Sequence, residues 1–310
     1  MITQDEMIES VKINYGLVIV GVEVINRLMF RQSFLLTTNN AIQYIVKDYA
    51  DIFSLHELSQ IWKYYWDLRS FHIRVGCPLK KLGSSEYHMH LNNRYYVVYE
   101  YVTGRCPGTN QFKEIALCLK RYHGIAADSL LPGLASTEDK LTEARGLLSY
   151  FNQGVYSLKE EIISCKTKAY SVIDRYYNSN QTIIHGDSIL ENIISENGES
   201  CLIDFDNIRR GDAAEDLANT ILSFLYYGSK EYKIRSGRSS QINALIYNYY
   251  GYTVSTDIEE MLHYYMLVHC VIELARHAEN IRFLVRMPSM KPYLLLLVRI
   301  LHSNSLNELI

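Results

Sequence analysis

No two cysteines in this chain stand in a C-x-x-C pair. The six of them, Cys77, Cys106, Cys118, Cys165, Cys201 and Cys270, are scattered over 310 residues, so neither a zinc site nor a redox dithiol has the local spacing it needs. Scattered thiols in a chain of this length read as reduced and mostly buried. Long hydrophobic runs are missing too. The longest, Tyr293 to Val298, is stopped by Arg299 and is far too short to cross a bilayer. The opening Met-Ile-Thr-Gln-Asp-Glu lacks the basic start and apolar run of a secretory leader. An excess of positive charge is also lacking. Lys and Arg number 31 against 34 Asp and Glu, which argues against the basic face of a nucleic-acid binder. No repeat and no low-complexity linker is present. The expectation from these absences is a soluble cytoplasmic protein without nucleic-acid or membrane partners.

What is present is apolar material for a large core. Hydrophobic residues make up 48% and charged residues 21%, so extended disorder is not expected, and the length suits one bilobal unit or two domains. The 26 tyrosines suit half-buried positions in strands and helices alike. Thr3 and Glu6 form a T-x-x-E capping box, with Ile2 and Met7 placed as its hydrophobic staple. The helix they start should stop at Gly16. Val18 to Leu28, Phe34 to Thr37 and Ala41 to Val46 then read as a three-stranded antiparallel meander. Ser54 and Glu57 form a second capping box, opening a helix to about Phe71. Tyr87 to Leu91 and Tyr95 to Val102 read as two more strands, joined at Asn92-Asn93. Beyond Gly104 the pattern is helical, near 109–127, 138–151, 155–178, 212–228, 239–250, 257–287 and 292–308. Pro288 separates the last two. One β-rich island, Thr182 to Phe205 with an Asn197-Gly198 turn, interrupts the helices. The boundary between a β-rich first third and the helical remainder falls near residue 102.

The chemistry concentrates in the island. Ile183 to Ile194 reads I-I-H-G-D-S-I-L-E-N-I-I and contains H-x-D-x-x-x-x-N, the spacing of a kinase catalytic loop. Asp187 can accept or orient the proton of an attacking hydroxyl, and Asn192 can offer a side-chain carbonyl to Mg²⁺. Chance would produce His-Gly-Asp with Asn at this offset on the order of once in a thousand such chains. Seventeen residues beyond Asp187, Asp204 ends Cys201-Leu-Ile-Asp204, the place of a second Mg²⁺ ligand. Gly211-Asp212-Ala-Ala-Glu-Asp216-Leu-Ala218 follows.

Taken together, H-G-D-x-x-x-x-N, I-D-F and G-D-x-x-x-D-L-A resemble the aminoglycoside phosphotransferase superfamily, which includes choline-kinase-like and homoserine-kinase-like enzymes and CotS-type spore coat proteins. The likeness is sharp over 183–218 and diffuse elsewhere. Tyr15-Gly-Leu17 and Leu119-Lys-Arg-Tyr-His123 are reminiscent of the CotS-like, small-molecule-kinase branch. The resemblance implies an α+β, bilobal protein-kinase-like fold. A nucleotide-binding lobe would span 1–101, and a helical lobe with catalytic loop and acceptor site would span 102–310. It implies Asp187 as catalytic base, Asn192 and Asp204 as metal ligands, and His185 and Asp216 as braces of the loop. Tyr44-Ile-Val-Lys47 resembles the V-A-I-K strand, making Lys47 the clamp on the phosphates. Glu57 is either the partner of Lys47 or only the capping residue of Ser54. The segment Leu28 to Phe34 has no glycine where G-x-G-x-x-G would sit, leaving Ser33, or Arg31 electrostatically, near the phosphates. Val98 to Gly104 resembles the hinge, where the Glu100 carbonyl and the Val102 amide would read the adenine edge.

Two functions follow. One is an ATP- or GTP-dependent, Mg²⁺-dependent O-phosphotransferase acting on a small-molecule hydroxyl. The other is a catalytically silent kinase-fold structural protein such as a spore coat component. A silent scaffold has no need of clustered carboxylates, which favours the enzyme. A protein kinase fits less well, because there is no A-P-E segment. For the acceptor, His269, Glu273, Arg276, His277, Glu279, Arg282 and Arg286 on the helix near 257–287 are mixed in sign. That points to a neutral or zwitterionic acceptor, with Arg276 or Arg282 available to clamp an anionic group.

Overall fold

A computed structural model describes residues 2–28, 31–49, 54–108, 110–126, 134–149, 159–176, 182–226, 237–253, 255–279 and 291–309. The chain divides into two compact units, residues 1–104 and 105–310.

The first unit opens with α1 (Gln4–Tyr15). Thr3 Oγ1 accepts from the Glu6 amide at 3.2 Å, and Glu6 Oε2 accepts from the Thr3 amide at 2.8 Å. Gly16 ends the helix at φ +68°, its amide donating to the Lys12 carbonyl. The left-handed conformation costs glycine no Cβ clash. Met7, Val11 and Tyr15, four residues apart, form the buried stripe. Strands β1 (Ile19–Leu28), β2 (Arg31–Thr38) and β3 (Gln43–Tyr49) form the meander. Helix α2 (Leu55–Ser70) follows, with its Ser54–Glu57 capping box formed. Strands β4 (His88–Leu91) and β5 (Arg94–Glu100) complete a sheet of order β1-β2-β3-β5-β4. Asn92 and Asn93, at φ +49° and +59°, make the two-residue turn whose twist suits a hairpin.

Strand alternation sorts the sheet into two faces. Phe34, Leu36, Val46, Tyr96 and Val98 join Met7 and Val11 in one core. Lys47, Tyr49 and Tyr99 point the other way, where α2 packs. Trp62 Nε1 donates to Tyr99 Oη at 3.0 Å, and the Tyr65 and Tyr99 rings are 5.4 Å apart.

In the second unit, α3 (Phe112–Ala126), α4 (Thr137–Ser149) and α5 (Lys159–Arg175) precede two small antiparallel pairs. Strand β6 (Thr182–Ile184) pairs with β9 (Arg209–Gly211), and β7 (Ile193–Glu196) pairs with β8 (Glu199–Leu202) through Asn197-Gly198. Helices α6 (Ala213–Tyr226), α7 (Ser239–Tyr250), α8 (Thr256–Glu279) and α9 (Lys291–His302) follow. Every residue of α6 from Ala214 to Tyr226 is buried, as expected of a helix without a solvated face. The final helix ends at His302 rather than 308. In Ser303-Asn304-Ser305 the side chains bond locally, Ser305 Oγ accepting from the Glu308 amide, and so compete with the helix. Ile281, Arg282, Arg286 and Pro288 lie outside the described residues. Among the described residues no helix is long and apolar enough to cross a membrane.

Candidate active site

Two loops leave the paired strands of the second unit side by side. One, 185–192, links β6 to β7; the other, 203–208, links β8 to β9. Helix α6 holds the first through a polar stripe on one face. Asp216, Thr220 and Ser223 lie at i, i+4 and i+7, one face of the helix. Asp216 Oδ2 accepts from the His185 amide at 2.7 Å and Oδ1 from the Gly186 amide at 2.8 Å. Thr220 Oγ1 donates to the Ser188 carbonyl at 2.6 Å, and Ser223 Oγ accepts from the Leu190 amide at 3.1 Å. His123 of α3 adds its Nε2 to Asp216 Oδ2 at 2.9 Å. Burial alone would raise the Asp216 carboxyl, but His123, His185 and the amide donors outweigh it and hold the pKa at about 2.

His185 spans the two loops. Its Nε2 lies 2.9 Å from the Ile203 carbonyl, which can only accept, so Nε2 carries the proton. Nδ1 is then the acceptor for the Asp187 amide at 3.3 Å. Asp187 Oδ2 accepts from Asn192 Nδ2 at 3.2 Å and from Asn207 Nδ2 at 3.3 Å. Burial, with Glu273 and Asp204 nearby, pushes the Asp187 pKa up to about 7 against the pull of Arg276 and Arg209. Asp204 sits at φ +67°, a left-handed conformation that a non-glycine residue holds only where its surroundings impose it.

The residues present fit a hard cation. The amide nitrogen of Asn192 donates to both the backbone carbonyl and the carboxylate of Asp187, which turns its Oδ1 away from them. With Asp204 this gives a neutral and an anionic oxygen donor. The described residues contain no cluster of three or more His, Cys, Asp or Glu able to cage an ion. Mg²⁺ suits so sparse a set because it keeps water and phosphate oxygens in its shell.

Two residues of the site, Arg209 and Asn207, were not legible as such in the sequence. Arg209, 6% exposed, donates from Nη1 to the Gly186 carbonyl at 3.1 Å and from Nε to Thr137 Oγ1 at 2.9 Å, and pairs with Glu215 at 3.2 Å. Asn207 holds Asp187 as described. A three-residue strand is too short to show alternation, so nothing marked Arg209 as inward. The helical stripe of Asp216, Thr220 and Ser223 was a readable signal for the contacts of α6.

On α8, His269 is buried; desolvation, against the pull of Glu273, lowers its pKa to about 4, so the ring is neutral. Glu273 and Arg276 form an ion pair at 2.7 Å, and Arg276 Nη2 donates to Asn207 Oδ1 at 2.9 Å. Arg276 is therefore already engaged by protein groups. The side chains of Arg31, His277 and Glu279 lie outside the described residues.

In the first unit, Ser33 and Lys47 are directly paired across β2 and β3, so both side chains leave the same face of the sheet. Lys47 Nζ lies 5.6 Å from the Tyr99 ring centre. Glu57 serves the capping box, its Oε2 accepting from the Ser54 amide and hydroxyl, both at 2.8 Å. The Glu100 carboxylate pairs with Arg69 and accepts from the Cys77 amide at 3.2 Å. Val102 lies two residues beyond the end of β5.

A five-stranded antiparallel sheet with its helices, a helical second unit, and an Asp-Asn-Asp constellation on paired loops define a kinase-like phosphotransferase. The family model described as the phosphotransferase enzyme family matches residues 26–237, and the chain belongs to that family. Solved structures share the fold at low identity. An amicoumacin kinase, solved with AMP-PNP, Ca²⁺ and amicoumacin, superposes with a TM-score of 0.74 at 13% identity, covering 98% of this chain and 95% of that one. A spectinomycin phosphotransferase with bound AMP gives 0.69 at 16% identity, covering 98% and 99%. A choline kinase from Streptococcus pneumoniae gives 0.66 at 19% identity, covering 96% and 99%. No curated protein matches the sequence.

Proposed function

We propose that this protein transfers the γ-phosphoryl group of ATP or GTP to a hydroxyl of a small molecule, with Asp187 as the base. The observation that carries the reading is the state of the Asp187 carboxylate. One oxygen is held by two amides from two loops, and burial, with Glu273 and Asp204 nearby, raises its proton affinity. A held carboxylate of this kind can align an acceptor hydroxyl and take its proton as the oxygen attacks phosphorus. Asn192 and Asp204 would hold Mg²⁺, which when bound supplies charge neutralisation at the phosphates. Lys47 and Ser33 of residues 1–101 would hold the phosphates, and the Glu100 carbonyl and Val102 amide would take the nucleotide base. Residues 102–310 would bind the acceptor.

The relatives in the solved structures carry names of kinases for an antibiotic, spectinomycin and choline, which supports a small hydroxylated acceptor. With Arg276 already paired, the α8 wall carries no net charge from Glu273 and Arg276, and a neutral or zwitterionic acceptor suits it better than a polycation, which would need further carboxylates. The test is a coupled phosphate-transfer panel of aminoglycosides, amino alcohols, sugars, nucleosides and hydroxy acids with Mg²⁺ and ATP or GTP. Transfer to a neutral or zwitterionic member, lost in Asp187→Asn, is the expected result. Transfer to kanamycin-like polycations alone would overturn the acceptor reading. No transfer to any member, together with no Mg²⁺-dependent nucleotide binding, would leave a kinase-fold scaffold.

A further inference from the structure

Asn207 joins the two loops to helix α8, and the polarity of its amide is set there. Its Nδ2 faces the Asp187 carboxylate at 3.3 Å. Its Oδ1 faces Nη2 of Arg276 at 2.9 Å. A side-chain amide can sit either way round, and only one orientation offers a donor to Asp187. A guanidinium has donors and no acceptor, so Arg276 accepts only the oxygen end of Asn207. That leaves the nitrogen end for the carboxylate. Turned over, the amide would place its oxygen against Asp187 and its N–H groups against Arg276, losing both contacts. Arg276 is in turn oriented by Glu273, one helical turn back, at 2.7 Å.

We propose that Arg276 is a positioning residue for Asp187, acting through Asn207, with Glu273 setting the guanidinium. The inference rests on the reading of Asp187 as the base and adds to it a control exerted from α8. The relay adds a second donor to Oδ2 of Asp187, beside Asn192, and so leaves the other oxygen for the acceptor hydroxyl. Its geometry couples α8 to the carboxylate through protein contacts alone. Effects should therefore fall on kcat and leave the nucleotide KM in place.

The test uses the full chain, with Mg²⁺·ATP and Mg²⁺·GTP as donors and, as acceptors, both water and the best member of the acceptor panel. Arg276→Met and Asn207→Ala should each lower kcat about 10- to 100-fold with nucleotide KM changed less than about twofold. Arg276→Lys, which keeps a cationic donor for Asn207 Oδ1, should recover most of the loss. The double variant should cost no more than the worse single variant, because both break one chain of contacts. Asp187→Asn serves as the reference. If it leaves kcat unchanged, the base assignment fails. If it lowers kcat while Arg276→Met does not, or if the Arg276 and Asn207 losses add, the relay is wrong and the base stands. A crystal structure of Arg276→Met supplies a readout without activity. The Asn207 amide should turn away from Asp187, and an unchanged Asn207–Asp187 contact would overturn the proposal.

Discussion

At Gly186 the backbone has φ +76°, and a Cβ there would collide with the Arg209 guanidinium and the Asn207 carbonyl. The left-handed conformation and the crowding act together, since the same bond geometry that brings the Gly186 carbonyl to Arg209 leaves no room for a side chain. Gly186→Ala should cost more than about 2 kcal/mol, measurable by denaturant unfolding; a loss below half of that would mean the loop has room to move. Two residues of different charge type surround Asp187, and their replacement separates chemistry from metal binding. Asp187→Asn should keep Mg²⁺·nucleotide binding and cut turnover by about 10²- to 10⁴-fold; unchanged turnover would remove it from the mechanism. Asp204→Ala should abolish Mg²⁺-dependent nucleotide stabilisation, while Asn192→Ala, losing only a neutral donor, should weaken it less. Parent-like binding in both variants would refute the metal assignment.

Helix α6 is the element on which the site depends, and its contribution varies with pH. The Asp216 pKa stands at about 2 in the folded chain against an ordinary 3.8. A depressed carboxylate stabilises the fold fully above its unfolded range and ceases to as pH falls from about 4 toward 2. The shift corresponds to about 2 kcal/mol. Wild type should therefore lose that much more stability than Asp216→Asn between pH 6 and 2, in denaturant titrations over the same range; parallel curves would show that Asp216 is not the titrating group. Thr220→Val, which strands the Ser188 carbonyl, should cost about 1–3 kcal/mol at all pH values. The elements themselves were largely legible. Both capping boxes, the Gly16 stop, the meander and the Asn-Asn and Asn-Gly turns rest on local side-chain chemistry that a sequence displays directly. What the sequence hid was non-local. The insertion of β5 between β3 and β4 follows from packing over two helices, and the end of α9 at His302 follows from serine bonds that helical apolar spacing does not report. In the candidate site, the motif exposed Asp187, Asn192 and Asp204, whereas Asn207 and Arg209 matter through partners 20 to 72 residues away.

At the scale of the whole molecule, ligand linkage can test the proposed nucleotide-binding residues directly. Lys47 belongs to residues 1–104 and Asp204 to residues 105–310. A ligand that binds only the native protein stabilises it by about 2.7 kcal/mol at a hundredfold excess over Kd. For a chain of this size, that is a rise in Tm on the order of 5 °C. If Lys47 binds the phosphates and Asp204 holds the cation, each supplies part of the binding free energy. Lys47→Ala should then remove most of the shift, as Asp204→Ala should, and EDTA should do to the wild type what Asp204→Ala does. Glu57→Gln, which alters the helix cap seen for that residue, should lower the starting Tm slightly and leave the nucleotide-induced rise intact. A thermal-shift series of these variants with ATP, GTP or no nucleotide, with and without Mg²⁺, decides the matter. A full shift in Lys47→Ala would remove Lys47 from nucleotide recognition, and a lost shift in Glu57→Gln would restore Glu57 as the partner of Lys47.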